Sequence, residues 1–250
     1  MKKADDMRKE RTARVPSLAF TNSVAVVGDI HGCAATLREL VCKLGDVPIV
    51  TVGDVIDRGP GSREVIDILI SIAAHGILGN HEEWFRAWVC GEGFDSYVLG
   101  DRMGGQSTLV SYGVQGRKPR QVEAERWRVP SEHGAWIRNL ATAVDLAVGG
   151  QRFWVTHAGV PKICPAPGLT LDQVVPWLAL NRPEALRHPC IDPRDMMPLD
   201  RPVIMGHQPL KDPLDLGHVI AIDTGAGTFE NGRLTAVILP ERRFVTVGPA

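Results

Sequence analysis

The sequence lacks the features of a disulfide-stabilised protein, a thiolate zinc protein and a membrane-spanning protein. Its 250 residues include five cysteines, an odd number, and no two of them form a Cys-x-x-Cys pair. We therefore expect neither a disulfide framework nor a zinc site built from thiolates. No apolar run approaches the ~18 residues that a membrane helix needs. Residues 1–16 are polar and charged, without the apolar stretch of a signal peptide. These absences predict a cytoplasmic protein that does not contact a membrane.

An excess of charge of one sign is missing as well. The formal net charge is -1, so no overall electrostatic field favours binding to nucleic acid or to an anionic membrane. We expect neither partner, and any anion-binding ability must come from a local site. Hydrophobic residues make up 44% of the chain and charged residues 23%, which is an ordinary globular composition with enough apolar residues for a sizeable core.

The first third of the chain alternates between predicted strands and helices. Short valine- and isoleucine-rich runs predict buried strands at residues 24–30, 48–56 and 77–78, and apolar residues at helical spacing predict helices at 33–44 and 63–74. Short links between alternating strands and helices are typical of βαβ units. This part of the chain therefore predicts an α/β fold.

The remainder is expected to complete one domain that spans residues 1–250. Residues 83–148 have scattered charges and tryptophans, and we predict a helical and loop insertion there. Residues 1–20 are expected to form a flexible tail. The last third is again rich in predicted strands, at residues 152–156, 202–205, 218–222, 234–239 and 243–247.

Polar residues beside glycine follow five of the predicted strands. The candidates are Asp29, His31, Asp54, Asp57, Arg58, Asn80, His81, His157 and His207. Each of these positions also has a structural interpretation when it is considered alone. Asp29 or Asn80 could cap a helix, and an exposed turn could hold an Asp57–Arg58 ion pair. Glu82 is interpreted as a first-turn residue that the helix dipole favours.

Considered together, the five polar clusters predict a metal site. Ligands in α/β sheets bind at the carboxyl ends of the strands, so the clusters are expected to converge there. Carboxylates such as Asp29 and Asp54 would repel each other at that edge unless a cation lay between them. Oxygen and nitrogen donors without a thiolate suit divalent transition metals. Arg58 could present its planar guanidinium group to a phosphate.

The order of these motifs resembles that of a known enzyme family. The succession Gly-Asp-Ile-His-Gly, Gly-Asp-Val-Ile-Asp-Arg-Gly, Gly-Asn-His-Glu, His-Ala-Gly and Gly-His is similar to that of the phosphoprotein phosphatase family, within the calcineurin-like metallophosphoesterases. Residues 104–113 and 223–225 also resemble the bacterial and bacteriophage-type serine/threonine phosphatases of that family. The resemblance covers residues 24–239 and implies an αββα sandwich of two mixed β-sheets flanked by helices.

The resemblance also implies a role for each motif residue. His81 would be the general acid, with Asp57 as its carboxylate partner, and Arg58 and Arg182 would bind phosphate. Trp177 lies several residues before Arg182, which departs from the usual spacing, so Arg187 remains an alternative. Gln208 stands where the family usually has threonine. The implied ligands are Asp29 and His31 for the first metal, Asp54 as a bridge, and Asn80, His157 and His207 for the second metal.

The implied activity is metal-dependent hydrolysis of a phosphoester, in which a metal-bound hydroxide attacks phosphorus in line. We expect two divalent ions and favour Mn²⁺, although the ligand set also permits an iron–zinc pair. The expected substrate is a phosphorylated protein or a small phosphoester, and the leading expectation is a serine/threonine protein phosphatase. A symmetrical bis(5'-nucleosyl)-tetraphosphate hydrolase is the alternative. A catalytically silent metal- or phosphate-binding module is disfavoured, because no implied ligand and no implied acid is missing.

Overall fold

The computed structural model describes residues 15–100, 103–162 and 168–248, and this part of the chain contains strands of two β-sheets. We number its strands in chain order. They are β1 (Ser17–Phe20), β2 (Val24–Val27), β3 (Ile49–Thr51), β4 (His75–Gly76), β5 (Ala143–Val148), β6 (Gln151–Thr156), β7 (Val203–Met205), β8 (Leu214–Asp215), β9 (Val219–Ala221), β10 (Asp223–Thr224), β11 (Arg233–Leu239) and β12 (Arg243–Val247).

Both sheets are mixed. The first has the strand order β1-β5-β6-β7-β9-β8, and the second has the order β10-β11-β2-β3-β4, with β12 paired to β11. Strands β2, β3 and β4 run parallel to one another, and so do β6, β7 and β9. Parallel neighbours end at the same edge of a sheet, so each sheet brings several strand ends together.

Helices cover the outer faces of the two sheets. The α-helices of the described residues are α1 (Ala34–Leu44), α2 (Ser62–Ser71), α3 (Asn80–Cys90), α4 (Gly105–Ser111), α5 (Pro119–Ala124), α6 (Ser131–Arg138) and α7 (Leu171–Asn181). Short 3₁₀ turns lie at Ser96–Leu99, Arg126–Arg128, Pro183–Leu186 and Pro193–Asp195. No helix in these ranges is long and apolar enough to cross a membrane.

Strand β2 explains how the layers are held together. Its four residues are all buried, because one face of the strand meets the other sheet and the opposite face meets helices. Val24 and Val26 belong to the apolar cluster between the sheets, whereas Ala25 and Val27 pack in the cluster beneath the helices. This alternation follows from the two-residue period of a strand. The predicted αββα sandwich is confirmed.

Three expectations about the elements need correction. Ser17–Phe20, which we expected in a tail, forms β1 and pairs in parallel with β5, while residues 1–14 lie outside the described residues. Ala143–Val148, which we expected in a helical and loop insertion, forms β5 between β1 and β6. The third predicted strand begins earlier, at His75, and Ile77 adds only an isolated bridge to Ala141. These strands are stabilised by distant partners, which local sequence does not reveal.

Candidate metal centre

Asp54 lies at the centre of a cluster of histidines. Its Oδ2 atom is 3.3 Å from Nε2 of His157 and 3.8 Å from Nε2 of both His31 and His81. Nδ1 of His207 lies 3.1 Å from Nε2 of His157. These donor atoms form two groups that share Asp54, one with His31 and His81 and the other with His157 and His207. A carboxylate shared by two donor groups is placed as a bridging metal ligand requires.

The ring orientation of three histidines favours metal binding. Nδ1 of His31 bonds to the carbonyl of Ile56 at 3.1 Å, and Nδ1 of His157 bonds to the carbonyl of Val52 at 2.8 Å. Because a carbonyl can only accept, each Nδ1 carries a proton, and each Nε2 is the ring nitrogen that faces the cluster. His207 has the opposite arrangement, since its Nε2 bonds to the carbonyl of His188 at 3.2 Å. Backbone carbonyls that orient metal-binding histidines in this way are a common feature of metal sites.

Asn80 and Asp29 flank this cluster. Oδ1 of Asn80 is 3.0 Å from Nε2 of His157, which is a member of the second donor group. The carboxylate of Asp29 accepts the backbone N–H of His207, at 3.1 and 3.2 Å to its two oxygens. Asp29 belongs to neither donor group of the described residues. Its role as a ligand therefore stays a prediction, although its burial beside Asp54 places a second carboxylate at the site.

The buried carboxylates repel one another in the absence of a cation. Burial, the nearby Asp223 and Asp54 together raise the pKa of Asp29 well above its usual range. Burial also raises the pKa of Asp223 to about 6, and the charge of Asp54 adds to this effect. Burial acts on Asp54 in the same direction, but the facing histidines, led by His157, outweigh it and hold the pKa of Asp54 well below its usual value. A divalent cation would remove this repulsion, so the donor set fits a metal centre.

Neutral histidines are the second reason why the donor set fits a metal centre. Burial holds the pKa of His31 well below its usual value, and burial together with His157 lowers the pKa of His207 to about 4. Both rings are therefore neutral at pH 7, which is the form that binds a metal. Burial also acts to lower the pKa of His157, but Asp54 outweighs burial and raises it. A cation that binds to Nε2 of His157 must therefore compete with a proton.

His81 differs from the other histidines in its partner. Its Nδ1 lies 2.8 Å from Oδ2 of Asp57, a carboxylate that also accepts from Nε1 of Trp84 at 2.9 Å and from Oγ1 of Thr108 at 2.6 Å. Burial acts to lower the pKa of His81, but the charges of Asp54 and Asp57 outweigh it and raise that pKa. The ring is thus held with Nε2 toward the cluster, in an arrangement that could deliver a proton.

Among the arginines that the structure describes, Arg58 is the one that reaches the cluster. Its Nη1 lies 2.7 Å from Nε2 of His31 and also bonds to the hydroxyl of Thr228, and its Nη2 lies 3.4 Å from Nε2 of His81. A guanidinium group at this place could bind the oxygens of a phosphoryl group held at the centre.

The other two candidate arginines have different partners. Arg182 is exposed and lies 3.4 Å from Glu184, and no contact in the described ranges joins it to the donor groups. Arg187 is buried, pairs with Glu83 and donates to the carbonyl of Pro183 at 2.9 Å. Arg187 is therefore occupied in a structural contact, and phosphate binding by Arg182 stays a prediction.

The backbone is strained at the same place. Five of the seven non-glycine residues with positive φ in the described part of the chain belong to the candidate site. Such residues are uncommon and persist where the surrounding structure holds them, often at functional sites. The five residues are His31, Asp54, Asp57, Arg58 and His207, with φ between 45° and 71°.

Comparison with known proteins identifies the family. The sequence model of the calcineurin-like phosphoesterases matches residues 23–239, most of the chain. The chain belongs to the calcineurin-like phosphoesterase family. One relative of this phosphoesterase is the asymmetrical bis(5'-nucleosyl)-tetraphosphatase PrpE of Anoxybacillus flavithermus, which is 28% identical over 89% of this chain and 92% of its own length.

Solved structures agree with the fold of this phosphoesterase. A putative diadenosine tetraphosphatase superposes with a TM-score of 0.62 at 21% identity and covers 95% of this chain and 99% of its own. A cold-active protein-tyrosine phosphatase of a psychrophilic Shewanella superposes with a TM-score of 0.60 at 17% identity, over 96% of this chain and 84% of its own. At these identities the likeness concerns the fold alone. Phosphoesterases of this family use a dinuclear divalent metal site, and the His/Asp cluster around Asp54 fits one.

The sequence interpretation missed residues that support the centre of this phosphoesterase. Glu82 is a first-turn residue of α3, but it is also buried, and its carboxylate accepts the backbone N–H groups of Asp54 at 2.8 Å, Val55 at 2.8 Å and Gly79 at 2.9 Å. It therefore ties the loop that carries Asp54 to the start of α3, a role that a helix-dipole interpretation does not contain. Trp84 and Thr108 were missed as partners of Asp57. Only Thr108 carried a signal, because it lies in the segment that resembles the phosphatases.

Proposed function

We propose that this phosphoesterase hydrolyses dinucleoside tetraphosphates asymmetrically, to a nucleoside monophosphate and a nucleoside triphosphate. The observation that carries the phosphoester chemistry is the pair of donor groups that share Asp54, one of which contains His81, with Arg58 beside them. The choice of substrate is supported by the relative PrpE, whose name states asymmetrical bis(5'-nucleosyl)-tetraphosphatase activity. The reaction consumes one water. Its oxygen bonds to phosphorus, the bridging oxygen leaves with the electron pair of the broken P–O bond, and the surplus protons pass to solvent.

The residues of the chain have distinct tasks in this proposal. Asp29, His31, Asp54, Asn80, His157 and His207 would hold two divalent ions, which we propose to be Mn²⁺. When bound, these ions supply Lewis acidity and an activated water. Arg58, together with Arg182, would hold phosphoryl oxygens that do not react. His81, oriented by Asp57, would donate a proton to the leaving oxygen.

Hydrolysis of phosphoserine or phosphothreonine in proteins is the second candidate. It is favoured by the resemblance of residues 104–113 to the serine/threonine phosphatases, a segment in which Thr108 bonds to Asp57 at 2.6 Å. Symmetrical cleavage of a dinucleoside tetraphosphate is a further alternative, and it would use the same centre. The three reactions differ in what lies beside the reacting phosphoryl group, not in the metal ligands.

A direct comparison of substrates tests the proposal. The kcat/KM for diadenosine tetraphosphate should exceed that for phosphoserine and phosphothreonine peptides at one Mn²⁺ concentration, and AMP and ATP should be the products. ADP as the sole nucleotide product would replace the proposal with symmetrical cleavage. A higher kcat/KM on the peptides would replace it with the protein phosphatase.

A further inference from the structure

Glu83 binds a chain segment that lies against the second donor group. It follows Asn80 by three residues in α3, so the two positions are neighbours on the surface of that helix. Oε1 of Glu83 accepts from Nε of Arg187 at 2.8 Å, and its Oε2 lies 2.6 Å from Nε2 of His188. One carboxylate thus holds two consecutive residues of the segment 183–190.

The segment 183–190 contacts the second donor group at two points. The carbonyl of His188 accepts from Nε2 of His207 at 3.2 Å. The carbonyl of Leu186 accepts the backbone N–H of Ala158, which directly follows His157, at 2.8 Å. The backbone of the segment therefore supports both loops that carry a histidine of this group.

The contact with His188 decides which nitrogen of His207 faces the donor group. Since a carbonyl can only accept, Nε2 of His207 carries a proton, and Nδ1 is the nitrogen that lies 3.1 Å from Nε2 of His157. A shift of the His188 carbonyl would remove the partner that holds the ring in this orientation. Partners of this kind, which lie behind metal ligands, typically contribute about 10- to 100-fold to metal affinity.

Apolar packing anchors the beginning of the segment but not its end. Leu186 is buried in the cluster beneath α7, whereas the side chain of His188 is 51% exposed. Among the described residues, Glu83 is the hydrogen-bond partner of the His188 ring. Loss of Glu83 would release this ring and would leave the buried charge of Arg187 without its partner. Both changes would displace the backbone that faces His207.

We propose that Glu83 is a positioning residue for the second metal, because it anchors the segment whose His188 carbonyl orients His207. Glu83 belongs to neither donor group of the described residues, so it acts through the segment. Its removal should therefore weaken the second metal and spare the first, which His31 would hold. The inference rests on the metal ligands of the proposed function and is independent of its substrate.

Titration of the metal-free full chain with Mn²⁺ tests this role without turnover. By isothermal titration calorimetry, the wild type should bind two ions. Glu83→Ala should weaken the binding of one ion by about 10- to 100-fold and leave the other unchanged. Glu83→Gln, which keeps the size of the side chain and loses one acceptor oxygen, should have a smaller effect in the same direction. If Glu83→Ala does not fold, the same comparison with Glu83→Gln decides.

Double variants identify the affected ion. In His31→Ala the remaining ion should lie at the second site, so the addition of Glu83→Ala should weaken it. In Asn80→Ala the remaining ion should lie at the first site, and the addition of Glu83→Ala should leave its affinity unchanged. The opposite pattern would overturn the proposal, because it would place the effect of Glu83 at the first metal.

Glu125→Ala is the matched control for a general loss of stability. Glu125 also fixes a loop, since it accepts the backbone N–H of Gly116 at 2.8 Å and Nε of Arg128 at 2.7 Å, and it belongs to neither donor group of the described residues. This variant should lower Tm and leave the affinity for both ions unchanged.

Two results would overturn the positioning role and leave the proposed function intact. One is a wild type that binds two ions together with a Glu83→Ala variant that binds both equally well. The other is an equal loss of affinity at both sites, which would indicate general loosening of the fold. A wild type that binds fewer than two ions would overturn the proposed ligand set and the role of Glu83 with it.

Discussion

The carbonyl of Gly104 accepts the backbone N–H of Arg58 at 3.2 Å, and Gly104 has a φ of 72°. A Cβ atom on Gly104 would lie 2.7 Å from the backbone nitrogen of Arg58 and 2.9 Å from its Cα. The segment before α4 therefore supports the loop that presents Arg58 to the metal centre. Only glycine combines this left-handed conformation with so close a backbone contact.

Replacement of Gly104 should therefore impair the phosphate binding that we propose for Arg58. We expect Gly104→Ala to lower kcat/KM and to weaken inhibition by inorganic phosphate, in the same direction as Arg58→Ala. Gly93→Ala is the control for backbone strain, because Gly93 has a φ of 123° and open space around its Cβ position. If Gly104→Ala and Gly93→Ala lower kcat/KM equally and Arg58→Ala has a different effect, the contact with Gly104 does not position Arg58.

Loss of the proposed bridging carboxylate should lower the metal content of the centre. Asp54→Asn is expected to lower both the metal content and the activity, because Asp54 is shared by the two donor groups. Elemental analysis measures the metal content, and turnover of an aryl phosphate measures the activity. In the wild type, chelation should abolish the activity and added Mn²⁺ should restore it. Asp46→Asn, at an exposed position, should change neither quantity. Full activity of the chelated wild type would contradict a metal-dependent mechanism.

Substitution of the proposed general acid should lower activity without removing the metals. His81→Asn should keep the metals and lower kcat by roughly 10²–10⁴-fold, the usual contribution of general acid catalysis. The loss should shrink for substrates with good leaving groups, because these need little protonation. Since Nε2 of His81 is only 3.8 Å from Asp54, metal analysis is essential. A variant that loses its metal would identify His81 as a ligand instead.

The stability of the metal-free protein should depend on pH through Asp223. Burial and Asp54 raise the pKa of Asp223 to about 6 from an ordinary value of 3.8. The folded state then holds a proton that the unfolded state releases, so this group lowers stability as pH rises from about 4 through 6. In chelator, Asp223→Asn should raise Tm relative to wild type near pH 7.5 and change it little near pH 4.

Added Mn²⁺ provides the control for this effect. A bound cation compensates the charge of the buried carboxylates, so the advantage of Asp223→Asn near pH 7.5 should shrink or reverse. If Asp223→Asn raises Tm equally at both pH values in the presence of chelator, the ionisation of Asp223 is not the cause of the rise.

The two remaining candidate arginines should respond differently to truncation. Arg187→Ala should lower stability by about 1–3 kcal/mol, because it breaks the pair with Glu83, in which the arginine side chain is 7% exposed and the glutamate 29%. Arg182→Ala should leave Tm unchanged and weaken inhibition by phosphate, if Arg182 binds phosphoryl oxygens as the resemblance implies. Unchanged inhibition in Arg182→Ala would leave Arg58 as the phosphate-binding arginine of the three.

The sequence was sufficient for most of the strands that precede candidate site residues, although the strand before Asn80 begins earlier than predicted. Val24–Val27 and Val203–Met205 are short buried strands with local apolar patterns, and the polar residues that follow them lie where the chain leaves the sheet. Strands β1 and β5 were not predicted. Local pattern did not distinguish them from a tail and an insertion, because their stability depends on pairing between segments far apart in the chain.

The amino-acid sequence by itself determined which donors are available, in which order they follow the strands, and that no thiolate is among the motif residues. Only the tertiary structure decided which nitrogen of each histidine faces Asp54, since the carbonyl of Val52 that orients His157 lies far from it in sequence. It also decided that Glu82 holds the loop of Asp54 and that Asp223 acts on the buried carboxylates. Motif residues are encoded locally, whereas ring orientation, burial and charge arise from contacts between segments that only the folded chain brings together.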